Sequence, residues 1–474
     1  MRKTIQLLIS MVLSAVLAGC NKYLDTPLPA GTISEENVYI SDNSVSAVVT
    51  GNFLSLVKSS LSTGSLSNST GLYVDELLDL NTGFPNPYYS NAIQAANAGQ
   101  WTDAYANLYY VNSALEGIRG TAAQLYFKNQ WLGETYFLRG VLYFHLTNLY
   151  GDVPLALTPD YAINNKLSRA PQSQVYNQIV SDLTQAKDLL NSGYTDGYGA
   201  ATSHRVRPNR YAAMAMLGKV YLYLQKWDSA SAMADSVIAN AGVYSLEPVD
   251  KVFGTSSMET IWSLALPSNE SKGYQYGYYN NGMPNPIVSP NTPGTYNVYA
   301  SLNTDLVNTF EAGDLRLSNW VREVPVTGVT PAVTYYFPGK YTAPAASDEN
   351  EIMLRLAEIY LIRAEARAHL TDIAGAQSDL NRVRTRAGLA NTTATDATAL
   401  LDAILRERRV ELFTEGASRF FDLKRTGNID PVMTAFAPTK IRVATWSHYM
   451  QLFPIPLNDL IQDPNLTPNP GYQH

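Results

Sequence analysis

The chain has 474 residues, 46% hydrophobic and 16% charged, which is enough apolar sequence to fill a large core and excludes a disordered chain. A formal net charge of −7 with no basic stripe excludes nucleic acid as a partner. The single cysteine excludes a disulfide framework, so stability must come from packing.

Residues 1–19 read as a lipoprotein signal peptide: Arg2 and Lys3 are followed by an apolar run from Ile5 to Val16, and Leu17-Ala18-Gly19 places small residues before Cys20. The mature chain is expected to begin at a lipidated Cys20, which ties it to a membrane through acyl chains without burying the protein. Residues 21–47 are rich in Pro, Ser and Asn without a period and are expected to wrap over the folded body. Helical periodicity then predicts helices over Ser44 to Lys58, Thr102 to Ile118, Ala123 to Tyr150 and Ser173 to Leu190. The third of these stops at Gly151-Asp152-Val153-Pro154.

Between Pro208 and Ala241, Leu217-Gly218-Lys219-Val220-Tyr221 reproduces the Leu-Gly-x-x-Tyr signature of a tetratricopeptide repeat, with Ala230 and Ala234 where the second helix needs small residues. Trp131 to Tyr136 has the same spacing, and Leu356-Ala357-Glu358-Ile359-Tyr360 repeats it with alanine for glycine. These echoes predict a mainly α fold, a right-handed stack of helix pairs over about 44–245 and 349–427. From about 246 to 348 the pattern changes to an irregular insertion, with β-prone runs at Thr260 to Ala265 and Thr334 to Phe337 and one helical interruption at Leu302 to Phe310.

The five histidines are scattered without ligand spacing, and no catalytic elbow, phosphate loop or dinucleotide fingerprint occurs, so no cofactor or metal is expected. Glu35-Glu36 and Asp75-Glu76 are carboxylate pairs, but neighbours in sequence do not make the facing acids that a glycosidase needs. Thirty-two tyrosines are the better clue. Sugars offer C–H faces ringed by hydroxyls, and a site for them wants flat rings with amides beside them. Two stretches have that mixture. Residues 75–101 supply Asn81, Phe84, Tyr88 and Tyr89; residues 273–299 supply Tyr274, Tyr276, Tyr278, Tyr279, Asn280 and Tyr296. Trp320 is balanced between core and platform, whereas Trp101 and Trp262 are expected in the core.

A set of motifs resembles the SusD/RagB family of outer-membrane lipoproteins. They are Cys20 with Tyr23-Leu24-Asp25, Leu138-Arg139-Gly140, Leu149 to Leu155, Glu351 to Glu358, Asp379 to Leu389, Glu407 to Leu412, Phe421 to Arg425, and Phe453 to Pro456 through Asn469-Pro470-Gly471-Tyr472. The resemblance implies one SusD-like domain over 20–474, lipid-anchored at the outer membrane and exposed at the cell surface. It further implies a SusC-like TonB-dependent transporter as partner and a non-catalytic role: capturing an oligosaccharide, or in some members a peptide, and delivering it. A structural lid without its own ligand site is the alternative from another class. Glu407, Arg408, Arg409 and Glu411 have the spacing of an ion-pair network along one helix face.

Overall fold

The computed structural model describes residues 38–81, 83, 86–97, 99–270, 273–342, 350–440 and 445–472. The expectations for the signal segment, Cys20, Glu35-Glu36 and Phe84 lie outside these residues. Helices α1 (Asp42–Lys58) and α2 (Thr63–Tyr73) lead to the short strand β1 (Leu77–Asp79). Then come α3 (Gly99–Gly120), α4 (Lys128–Tyr150), α5 (Tyr161–Asn164), α6 (Gln172–Leu189), α7 (Arg210–Tyr223) and α8 (Trp227–Ile238). In the insertion, β2 (Thr260–Ala265), α9 (Tyr274–Tyr279), β3 (Ile287–Val288), β4 (Ala300–Leu302), α10 (Thr304–Val307), α11 (Leu315–Trp320), β5 (Val321–Thr327) and β6 (Val333–Pro338) follow. The chain returns to helices through β7 (Asn350–Arg355), α12 (Leu356–His369), α13 (Ile373–Arg386), α14 (Ala397–Glu411), α15 (Ser418–Arg425), α16 (Ile429–Phe436) and α17 (Leu457–Gln462).

The scaffold is a continuous stack in which α3 packs on α4, α4 on α6, α6 on α7, α7 on α8, α8 on α12, and α12 on α13 and α14. Two tetratricopeptide-like signatures fall inside α4 and α7, and the third opens α12. Their glycines are not equivalent. A Cβ on Gly133 would sit 2.8 Å from Leu190 Cγ, so α4 needs glycine there to approach the end of α6. On Gly218 a Cβ would meet nothing closer than Met233 Cβ at 3.5 Å, an ordinary contact, which fits alanine at the matching Ala357.

Bidentate ion pairs pin the stack: Arg139 holds Asp182 across α4 and α6, and Arg207 holds Glu134 just before α7. The acids and arginines of α14 also pair, but not along their own helix. Glu411 receives Arg316 of the insertion at 2.7 Å, Arg355 of β7 at 2.5 Å, and Arg386 of α13. Arg408 reaches Asp422 and Glu358, and Arg409 reaches Asp75. The expected helix-face network is therefore a set of long-range buried rivets, because these side chains point into the packing where water cannot serve as partner.

Two small sheets clasp the insertion to this frame, and a third lies within the insertion. β2 pairs antiparallel with β7, β1 pairs antiparallel with β4, and β5 lies between β3, to which it is parallel, and β6, to which it is antiparallel. Ile352 lies in strand β7, and α12 follows at once from Leu356; both elements bury apolar residues, so the join between them is invisible to periodicity. Among the described residues the insertion also holds three short α-helices instead of one. Asn303 and Asp314 cap α10 and α11 by accepting the N–H of Asp305 and Arg316, local chemistry that works over too few residues to leave a period.

Candidate functional site

Strand pairing brings the two tyrosine-bearing stretches together. The register Leu77↔Leu302 and Asp79↔Ala300 continues one step beyond the strands, where Leu80 N donates to Tyr299 O at 2.7 Å. Asp79 then fixes the turn that follows: its two oxygens accept from Asn81 N at 3.0 Å and Asn86 N at 2.9 Å. Asn81 is left exposed beside a segment carrying Tyr296 and Tyr299. Leu80 and Tyr296 both rest on an apolar cluster built from Met283, Ile287, Val298, Val324 and Phe337. Asn281 Nδ2 donates to Tyr296 O at 2.9 Å, and the neighbouring Gly282 N donates to the Tyr276 hydroxyl at 2.9 Å. Asn81, Tyr276, Tyr296 and Tyr299 therefore occupy one neighbourhood, with Tyr276 and Tyr296 half-buried and Tyr299 46% exposed. Rings anchored from below and open above, with amides nearby, form a surface suited to stacking.

The one-and-a-half turns of α9 send its tyrosines in different directions. Tyr274 and Tyr278 share a side: Tyr274 donates to Glu270 at 3.1 Å, and burial together with that bond pushes its phenol up to about 12. Tyr278 is 38% exposed with its hydroxyl 3.4 Å from Ser65 Oγ, toward α2 and not toward Tyr296. Four other expected ligand residues are corrected to the core. Tyr279 is fully buried, its hydroxyl 3.0 Å from Ser67 Oγ and its ring beside Tyr341. Asn280 is a buried clip that donates to Pro338 O and Tyr341 O and accepts from Arg322. Trp320 is buried, donates to Val249 O at 2.7 Å, and sits beside the cations Lys340, Arg355 and Arg386. Tyr89 is buried with Lys440 Nζ 5.1 Å from its ring centre. Tyr279, Asn280 and Trp320 pack because their polar ends find partners inside, which lets them be desolvated.

Tyr88 is half-buried; it donates to Gln100 Oε1 at 2.7 Å and its ring meets Phe453, so it is mainly a wall of the scaffold. Trp101 and Trp262 are buried, as expected. Sequence reasoning missed Asp79 and Tyr299. Asp79 followed two residues later by Asn81 is an Asx-turn signal, and Tyr299 ends the second stretch immediately before strand β4.

Asp75 and Glu76 are not an acid–base pair across a cleft, for both are buried. Burial opposes ionisation of Asp75, yet bidentate Arg419 and nearby Arg409 hold it below the usual carboxylate range. Glu76 has no such arginine in hydrogen-bond contact, and burial pushes it up to about 7 against the N–H of Thr414 that it accepts. Among the described residues no cluster of three or more His, Cys, Asp or Glu could hold a metal, and no helix is long and apolar enough to cross a membrane.

A helical-repeat frame that carries an irregular, ring-bearing insertion defines a class of scaffolded binding proteins. Comparison gives the family. Residues 328–472 match the model described as "SusD family", and residues 68–222 match "Starch-binding associating with outer membrane". SusD-like protein P2 of Formosa agariphila is 25% identical, with 98% of each chain covered. A SusD superfamily protein of Bacteroides vulgatus superposes with a TM-score of 0.75 at 21% identity over 91% of this chain and 99% of that one. A structure titled "Laminarin binding SusD-like protein" does so with a TM-score of 0.74 at 23% identity, covering 92% and 100%. The chain belongs to the SusD/RagB family.

Proposed function

We propose that the chain captures a neutral oligosaccharide on the face formed by Asn81, Tyr276, Tyr296 and Tyr299, breaks no bond, and passes the sugar to a SusC-like transporter. The observation that carries this reading is the pairing of β1 with β4, which brings the backbone leading into Asn81 beside the Tyr296 to Tyr299 segment. The laminarin-binding relative supports a glycan over a peptide. An open face retains bridging waters and buries little area, so affinity is modest. A single SusD-like domain over 20–474, held by a lipid on Cys20 at the outer membrane and exposed at the cell surface, completes the proposal.

A transporter partner is favoured by a second surface. Tyr109 and Tyr110 of α3 are about half exposed and, with Val38 and Val48, line a cavity of about 750 Å³. An apolar patch of this kind on a folded protein marks a contact with another macromolecule. Affinity electrophoresis through laminarin tests the ligand face: Tyr276→Ala with Tyr299→Ala is expected to abolish retardation, and unchanged retardation would remove these residues from the site.

A further inference from the structure

We propose that the half-open cavity lined in part by Glu76 and the arginines Arg408, Arg409 and Arg419 is a second binding site, which takes one oxyanion, the carboxylate or sulfate of an acidic small molecule. The cavity has a volume of about 480 Å³ and lies between α14 and α15, so it shares none of the four residues of the tyrosine face. The inference stands apart from the glycan reading.

The case rests on charge that its own surroundings do not satisfy. Arg419 takes both oxygens of Asp75, at 2.8 and 2.7 Å. Arg409 must share that same carboxylate, reaching only Oδ2 with Nη2 at 3.0 Å, and makes no other ion pair among the described residues. Two guanidinium ions thus lean on one acid. Three more carboxyls line the cavity and none restores the balance: Asp422 is taken by Arg408 and Arg425, Asp402 is exposed and forms no ion pair among the described residues, and burial favours the neutral form of Glu76, whose Oε1 already accepts from Thr414 N. Arg408 adds an independent sign. Its Nε is held by Asp422 at 2.7 Å and its Nη2 lies 3.4 Å from Glu358, while Nη1 is buried without any hydrogen-bond partner. Asp422 is itself divided with Arg425, and Glu358 with Lys219. Burial also lowers the pKa of Arg409, so its charge is held in an unfavourable place. Guanidinium groups offer planar forks of N–H donors that match carboxylate and sulfate oxygens. An arriving oxyanion would neutralise the shared charge of Arg409 at little ordering cost, since Arg408 and Arg419 are already fixed by their acids.

The test titrates the purified full chain in a calorimeter with sodium glucuronate and, separately, sodium sulfate, against sodium chloride at equal ionic strength. A saturable heat with glucuronate alone assigns the site to planar carboxylates, with sulfate alone to tetrahedral oxyanions, and with both to either. In each case Arg409→Gln is expected to weaken binding at least tenfold. Arg409→Lys, which keeps the charge and loses the fork, is expected to fall between the two. Asp75 keeps its bidentate Arg419 in both variants, so an unchanged melting temperature certifies the fold. Retardation in laminarin is expected to be the same for Arg409→Gln as for the parent, which separates failure here from failure of the tyrosine face. No saturable heat with either anion, or equal heat in Arg409→Gln, overturns the proposal.

Discussion

Glu411→Gln is the most demanding perturbation of the frame that holds the ligand face. The Glu411 carboxylate joins Arg316 of α11, Arg355 of β7 and Arg386 of α13, so it ties the insertion to the helical stack. Burial would raise its pKa, but Arg386, Arg355 and Arg316 outweigh burial and hold it well below the usual carboxylate range. All three arginines keep other acids, namely Asp314 and Glu407 for Arg316, Glu259 and Glu415 for Arg355, and Glu259 again for Arg386, so the variant strands none of them but removes one negative charge that the buried network shares. Breaking a buried pair in this way costs about 3–5 kcal/mol. With a denaturant slope of about 3 kcal/mol per molar urea, the midpoint should fall by about 1–1.7 M. Glu311→Gln is the control: that acid is 56% exposed on Arg384, and its loss should cost about 0–1 kcal/mol. The sign with pH follows from the depressed pKa. Stability from Glu411 is fully present above the unfolded carboxylate pKa and is lost as pH falls below it, so the variant's deficit should shrink on acidification. Urea unfolding followed by circular dichroism at pH 7 and pH 4 measures both; a deficit below about 1 kcal/mol at pH 7, or one that grows in acid, refutes the reasoning.

Adjacent tyrosines should separate cleanly: Tyr279→Ala is expected to cost about 3–5 kcal/mol, whereas Tyr278→Ala should leave the melting temperature unchanged. Glu76, raised from 4.5 to about 7, binds its proton more tightly in the folded chain, so it penalises the fold increasingly as pH climbs through that window and then levels off. Relative to the parent, Glu76→Gln should gain about 3 kcal/mol between pH 4.5 and pH 7.5, read from urea midpoints at each pH. Gly218→Ala should be neutral or stabilising by up to about 1 kcal/mol through helix propensity, while Gly133→Ala should destabilise because Leu190 must move; thermal melts of the two decide it.

The helical stack was legible because Leu-Gly-x-x-Tyr spacing and amphipathic period are local properties, readable at Leu217 to Tyr221 without knowing what lies across from them. Strand β7 was not, since Ile352 to Arg355 runs straight into a buried helix and apolar strand and apolar helix look alike over four residues. For the candidate site, composition found both tyrosine-bearing stretches but could not say which rings face outward. Tyr278 and Tyr279 share a neighbourhood in sequence, and only the placement of Ser67 and Tyr341 against α9 decides that the second is interior. Likewise, nothing near Leu77 reveals that its partner is Leu302, more than two hundred positions away, although that pairing unites the two stretches. The arginines of α14 show the same limit, because their partners come from β1's approach, α12 and α15.

A crystal structure of the chain with a laminarin-derived oligosaccharide addresses the ligand face most directly. The expected result is pyranose rings lying against Tyr276, Tyr296 and Tyr299, with a sugar hydroxyl within hydrogen-bond distance of Asn81. Sugar seated elsewhere, with those rings bare and Asn81 unengaged, would contradict the account.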